Sequence, residues 1–210
     1  MTYEIMPVGP FDTNCILLWE KPCEAWLVDP GGDAEALFNF MARRGIQPAG
    51  IVFTHGHCDH IGALDAILEA YPVPVHVCGA DAKWTFLPVN SIPGYYSAPP
   101  SRPATLAEAS GELAFGGIAA RVLPTPGHTP GSVCLWFPNA GLLLSGDTLF
   151  AGSVGRTDLP GGDTATLMES LRGLAKLPAD TVIIPGHGPT TTLREEMESN
   201  PYLEEALRNP

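Results

Sequence analysis

The chain has 210 residues, 45% of them hydrophobic and 16% charged, enough to bury a substantial core as one large domain or two tightly fused halves. A formal net charge of −12 excludes nucleic-acid backbones and anionic membranes as general partners and leaves a small molecule as the expected one. No basic segment followed by an apolar run opens the chain, and no stretch approaches membrane-spanning length; five scattered cysteines without a CxxC pair fit a reducing cytoplasm.

Tyr3 to Val8 and Cys15 to Trp19 read as a strand pair joined through Pro10, Asp12 and Asn14. Ala25 to Val28 is a further apolar run, stopped at Asp29-Pro30-Gly31-Gly32, where Asp29 on its own fits a turn. Asp33 is expected to cap a helix with Leu37, Phe40, Met41 and Arg44 on one face, ended by Gly45. Ala49 to Phe53 is a strand feeding Thr54-His55-Gly56-His57-Cys58-Asp59-His60, and Ile61, Leu64, Ile67, Leu68 and Tyr71 continue it at helical spacing. A helix N-terminus there would help keep His60 neutral and able to ligate. Val73 to Cys78 reads as a strand near an edge because Pro74 interrupts it, and its His76 reads as structural. Between Lys83 and Pro103, four aromatic residues alternate with prolines, as an ordered loop packed on the core or as a wall of a substrate pocket.

Strand signals resume at Glu112 to Phe115, Ile118 to Leu123, Val133 to Phe137 and Gly141 to Leu144. Asp163 opens a helix with Leu167, Leu171 and Leu174 on one face, Thr181 to Ile184 is a short strand, and Arg194 onward is helical up to Asn200-Pro201. Each half, with the boundary near 105–111, therefore reads as strands followed by helices. The expected class is α+β, sheet packed on sheet with helices outside.

In His55-Gly56-His57 the two imidazoles point to one side of an extended loop, and Asp59 and His60 follow at once. Imidazole and carboxylate are the donors that zinc and similar cations prefer, so this loop is expected to bind metal. Three later apolar runs end in Gly127-His128, Gly146-Asp147 and Gly186-His187, so five of the six histidines fall in four strand-end loops. Seven donors exceed the four of a closed zinc site. They suit two cations, with His55, His57 and His128 on one, Asp59, His60 and His187 on the other, and Asp147 bridging. Zinc is the first expectation, with iron or manganese as alternatives.

Thr54-His55-Gly56-His57-Cys58-Asp59-His60, followed in order by His128, Asp147 and His187, resembles the metallo-β-lactamase superfamily. The resemblance runs from Val28-Asp29-Pro30-Gly31 to Pro185-Gly186-His187-Gly188. It implies a four-layer αββα sandwich with a dinuclear site at one edge, and it makes Asp29 a residue that positions a ligand or the metal loop. Lactamase-type members usually lack the histidine at His60 and take a cysteine ligand. Flavodiiron members carry Glu at His57, and nuclease members add a large inserted domain. What remains is similar to the short bacterial members of the glyoxalase II branch, hydroxyacylglutathione hydrolases, whose Gly-Arg-x-Asp loop is matched by Gly155-Arg156-Thr157-Asp158. Full-length glyoxalase II carries a further helical domain that helps hold glutathione; the sequence runs only a few residues past Asn200-Pro201-Tyr202, so the resemblance implies hydrolysis more directly than glutathione as the carrier.

The implied chemistry is hydrolysis of a thioester, S-lactoylglutathione or a relative, by a water shared between two cations, with Asp59 orienting it and accepting its proton. A thiolate with a pKa near about 8.5 leaves without a dedicated acid. The alternative is a mono-iron persulfide dioxygenase, whose corresponding set would be His55, His128 and Asp147. Arg156 is the expected clamp for an anionic substrate, competing with a structural ion pair to Asp158.

Overall fold

A computed structural model describes residues 1–104 and 106–208; Thr105, at the near end of the expected boundary, lies outside the described residues, as do 209 and 210. Strand β1 (Thr2–Val8) pairs antiparallel with β2 (Thr13–Trp19), and β2 pairs antiparallel with β3 (Ala25–Val28). Helix α1 (Ala34–Arg44) crosses to β4 (Pro48–Val52), which lies parallel to β3. The short α2 (Cys58–Ile61) and α3 (Leu64–Ala70) then lead to β5 (Val75–Val77) and β6 (Leu106–Glu108), completing a sheet in the order β1-β2-β3-β4-β5-β6.

The second sheet begins with β7 (Glu112–Phe115), β8 (Ile118–Pro124), β9 (Val133–Phe137) and β10 (Leu142–Gly146). A small hairpin of β11 (Leu149–Phe150) and β12 (Ser153–Val154) precedes α4 (Thr164–Leu174). Strands β13 (Val182–Pro185) and β14 (Thr191–Thr192), then α5 (Leu193–Ser199) and α6 (Pro201–Arg208), complete the described chain. The sheet order is β14-β13-β10-β9-β8-β7.

Three cores account for four layers. Along β2, Leu17 packs outward with Leu37, Met41, Ile61 and Leu64 of the helices, while Ile16 and Leu18 face the other sheet. Along β9, Leu135 and Phe137 face inward, and Cys134 and Trp136 pack outward against Leu167, Leu171 and Leu203. The period of two puts apolar side chains on both faces of each sheet, so each sheet is covered on both sides. Trp26 stitches the layers: its ring lies 4.3 Å from that of Phe115 and 5.7 Å from that of Phe137, and its indole N–H donates to the Phe115 carbonyl at 3.0 Å. This is the αββα sandwich expected of an α+β chain. Among the described residues no helix is long and apolar enough to cross a membrane. The five cysteines are free, three of them buried.

Several expectations need correction. The helix expected from His60 to Tyr71 is broken at Gly62-Ala63, because the Ala63 N–H donates to the Pro30 carbonyl at 2.9 Å instead of continuing the helical ladder. Asp33 precedes α1 but does not cap it; at φ 48° its carboxylate turns to the Gly9 N–H, 2.8 Å away. The expectation that β5 lies near an edge holds, with the three-residue β6 as the edge strand beside it. Asn200-Pro201 does not end the helical tail: Asn200 Oδ1 accepts from Tyr202 N–H at 3.0 Å, and Pro201 is the first residue of α6.

Candidate metal centre

Strands β3 and β4 are parallel, as are β10 and β13, so each pair delivers the residues that follow it to one edge of the sandwich. Strand β8 runs with β10, both being antiparallel to β9, so the segment after β8 reaches the same edge. Asp29, the 54–60 loop, His128, Asp147 and His187 meet there. His57 Nδ1 lies 3.0 Å from His55 Nε2 and 2.9 Å from His128 Nε2. His60 Nε2 is 3.3 Å from His187 Nε2, and Asp59 Oδ2 is 3.3 Å from His187 Nε2. Asp147 lies between the groups, with Oδ1 3.4 Å from His60 Nε2 and Oδ2 3.6 Å from both His128 Nε2 and His187 Nε2. Three overlapping sets, His55/His57/His128, His55/His60/Asp147 and Asp59/His60/His187, each keep their donor atoms within 4.8 Å of one another.

The donor set fits divalent cations. The ring nitrogens turned away from the cluster have partners: His55 Nδ1 meets Thr54 Oγ1 at 3.2 Å, and His60 Nδ1 meets Asp29 Oδ2 at 3.0 Å. His128 Nδ1 and His187 Nδ1 donate to the carbonyls of Arg156 and Phe11 at 2.7 and 3.0 Å. Such outer contacts fix the tautomer and aim the remaining nitrogen at a metal. Asp147 Oδ1 is buried with no donor in bonding geometry, an orphan that a cation would satisfy. At Gly186 a Cβ would stand 2.1 Å from that same oxygen, so a side chain there would fill the space.

Electrostatics divides the cluster. Burial, reinforced by the neighbouring imidazoles, pushes His55 well below the ordinary histidine value and His57 down to about 4. Burial also opposes the charged form of His60, but Asp147, Asp29 and Asp59 outweigh it and raise this ring well above the ordinary value. The carboxylates therefore override the helix-terminus effect expected at His60; α2 is a single four-residue turn. His187 is raised as well, against burial, by Asp59 and Asp147. Burial would raise Asp59, yet His60 and His187 hold its carboxyl below the usual range, and Asp147 is lowered by the same rings.

The structure brings Asp29 onto the site at φ 49°. Its carboxylate accepts from Thr54 N–H at 2.8 Å, Thr54 O–H at 2.6 Å and His60 Nδ1 at 3.0 Å. His76 belongs to no donor group among the described residues and packs 5.1 Å from the Phe115 ring. Five of the donors, His57, Asp59, His128, Asp147 and His187, floor a cleft of about 820 Å³ walled by Phe11, Trp84, Val89, Ile92, Leu159 and Pro160. The aromatic, proline-rich segment thus lines the cleft and also packs as an ordered loop, Tyr96 O–H donating to the Gly31 carbonyl at 3.0 Å. Arg156 borders the cleft, but its Nε and Nη2 each donate to Asp158 at 2.7 Å, the ion-pair reading of the pair. Trp84 of the aromatic segment lies 5.5 Å from the His57 ring; sequence reasoning missed the braces Asp81 and Asn90, since no local pattern marks them.

An αββα sandwich carrying imidazole and carboxylate donors at the ends of its strands defines a metallo-hydrolase class of protein. Residues 8–187 match the family model of the metallo-beta-lactamase superfamily, and the chain belongs to that superfamily. It is 36% identical over 211 residues to the hydroxyacylglutathione hydrolase GloC of Haemophilus influenzae, covering 97% of this chain and 98% of the relative. A solved structure titled BLEG-1 B3 metallo-beta-lactamase superposes with a TM-score of 0.90 at 38% identity, over 96% of this chain and 99% of that one. The structure of TTHA1623 in a di-iron-bound form superposes at 0.80 and 37% identity, over 95% and 99%.

Proposed function

We propose that this protein is a dinuclear metal-dependent hydrolase of thioesters, with S-lactoylglutathione or a related hydroxyacylglutathione as substrate. The observation that carries this reading is the convergence of seven donors, His55, His57, Asp59, His60, His128, Asp147 and His187, at the base of one cleft, which all but the buried His55 and His60 line. His55, His57 and His128 would hold one ion and Asp59, His60 and His187 the other, with Asp147 reaching both. Zinc suits these donors, and iron, as in the di-iron neighbour, or manganese would also be accepted. When bound, the ions supply Lewis acidity and an activated water.

The chain's own residues do the rest. Asp59, kept ionised by His60 and His187, orients the attacking water and takes its proton at the carboxylate. Phe11, Trp84 and Ile92 keep bulk water from the acyl group. A thiolate leaving group has a pKa of about 8.5 and departs unprotonated, so a thioester needs no dedicated acid from the cleft. Arg156 presents the cation nearest the cleft to a substrate carboxylate. The relative named as a hydroxyacylglutathione hydrolase supports this reading, and a reducing cytoplasm suits both free thiols and a thiol-based substrate.

The neighbour titled a B3 metallo-beta-lactamase supports a second reading, β-lactam hydrolysis in the same cleft. Protein purified without added metal, assayed for metal content and against S-lactoylglutathione, a β-lactam and glutathione persulfide, separates the readings. Two ions per chain and turnover of the thioester alone are expected. One iron per chain with oxygen uptake on the persulfide would replace the hydrolase with a dioxygenase, and turnover of the β-lactam alone would establish the second reading.

A further inference from the structure

The segment from Asp81 to Asn90 touches the centre without supplying a donor to it. Asp81 is fully buried, and among the described residues no basic side chain forms an ion pair with it. Its Oδ2 accepts from the Gly56 N–H at 2.9 Å and from the Thr129 O–H at 2.7 Å, and its Oδ1 accepts from the Gly131 N–H at 2.8 Å. Gly56 lies between His55 and His57, while Thr129 and Gly131 follow His128. One carboxylate therefore ties the two loops that carry the three imidazoles of one half of the centre. Asn90 completes the hold: its amide donates to the Gly56 carbonyl at 2.7 Å and its carbonyl accepts from the Cys58 N–H at 3.1 Å.

The approach is close enough to dictate sequence. A Cβ at Gly56 would stand 2.1 Å from Thr85 Oγ1, and one at Gly131 would stand 2.6 Å from the Asp81 carboxyl carbon. The glycine in His-Gly-His is thus required by the neighbouring segment and not by its own backbone angles, since Gly56 is absent from the residues with positive φ. The other half of the centre has a separate brace, Asp29 on His60.

We infer that Asp81, seconded by Asn90, is a positioning residue that sets the spacing of His55 and His57 against His128, and so governs the affinity of the three-imidazole half alone. An ionised carboxylate suits the task because both of its oxygens face donors. An amide of the same shape turns an NH₂ toward one of those donors, so one loop is released. The inference rests on the metal-centre reading above, but it concerns how the centre is held and not what it hydrolyses.

Titration of metal-free protein with Co²⁺, followed by calorimetry and by visible absorption, tests it. Wild type is expected to take up two ions. Asp81→Asn should bind one of them roughly 10- to 100-fold more weakly, the range for losing a residue that orients metal ligands, and keep the other within about threefold. The spectrum of the ion retained by Asp81→Asn should match that retained by His57→Ala and differ from that retained by His187→Ala. Thr129→Val, which removes one of the three donors, should shift the same ion in the same direction by less, and it decides the matter if Asp81→Asn does not fold. Equal weakening of both ions, or two ions held with unchanged affinity, overturns the inference. Failure of wild type to bind two ions would instead overturn the dinuclear reading.

Discussion

Replacing Asp29 by asparagine leaves the shape of a fully buried side chain intact and removes one acceptor. In the native protein Asp29 Oδ2 serves both the Thr54 hydroxyl and His60 Nδ1, while Oδ1 serves the Thr54 N–H. Asparagine keeps its oxygen on the Thr54 N–H and turns its NH₂ to the other two. His60 must then accept at Nδ1 and carry its proton on Nε2, the nitrogen that faces Asp147 and His187. A protonated Nε2 cannot ligate, so the ion of the Asp59/His60/His187 half should bind about 10- to 100-fold more weakly. Frustrating buried donors costs about 1–3 kcal/mol each, and with two affected the metal-free protein should lose roughly 2–6 kcal/mol. At about 2–4 °C per kcal/mol for a chain of this size, Tm should fall by roughly 4–24 °C. Metal titration and thermal unfolding of the metal-free and loaded variant measure both quantities. Wild-type affinity for both ions, with Tm within about 2 °C of wild type, would refute the tautomer argument.

Asp147→Ala should lose the second ion and at least about 100-fold in thioester hydrolysis with an unchanged far-UV spectrum, because the three cores do not include it; His76→Ala is the control and should keep both ions. Arg156→Ala should lower kcat/KM for a glutathione thioester by about 1–3 kcal/mol of transition-state free energy and spare a small neutral thioester. Its ion pair with Asp158 is exposed, so stability should hardly change; equal loss on both substrates together with a lower Tm would make Arg156 a loop brace. His57 is depressed in the folded metal-free protein to about 4, so the unfolded chain takes up a proton below about 6.5 that the folded chain refuses. Stability from this group is present above pH 6.5 and is lost as pH falls toward 4. The metal-free wild type should therefore lose roughly 3 kcal/mol more than His57→Gln over that interval, and parallel denaturation curves for the two proteins would contradict this.

Much of the fold was legible because burial on both faces of two sheets demands nearly continuous apolar runs, such as Ile16-Leu17-Leu18 and Leu142-Leu143-Leu144, each stopped by a turn residue. The donors were legible for a related reason: each follows such a run. Strand β6 escaped because three residues, Leu-Ala-Glu, carry no period; it forms by pairing with β5. Helix α6 was read as an ending because Asn-Pro is ambiguous: the same dipeptide stops one helix and caps the next. Asp81 and Asn90 were invisible for a different reason, since their partners lie 25 to 50 residues away and exist only once the loops have met.

The end of the chain is fastened to its beginning. Asn14 donates through its side chain to the carbonyls of Pro185 and Gly188, both at 2.9 Å, and through its backbone to that of Gly186 at 2.7 Å, while the Phe11 carbonyl receives His187 Nδ1. These contacts join residues 171 to 176 positions apart. The His187 donor is therefore aimed only after the 185–188 loop has docked on the β1–β2 hairpin, made well before it along the chain. A chain of that span closes against an entropy that rises with the logarithm of its length, and an ion held by His187 and by the 54–60 loop would oppose reopening. Loading the centre would thus lock this closure, and stripping it should loosen the N-terminal hairpin first, readable as faster amide exchange across β1 and β2 than in the loaded protein.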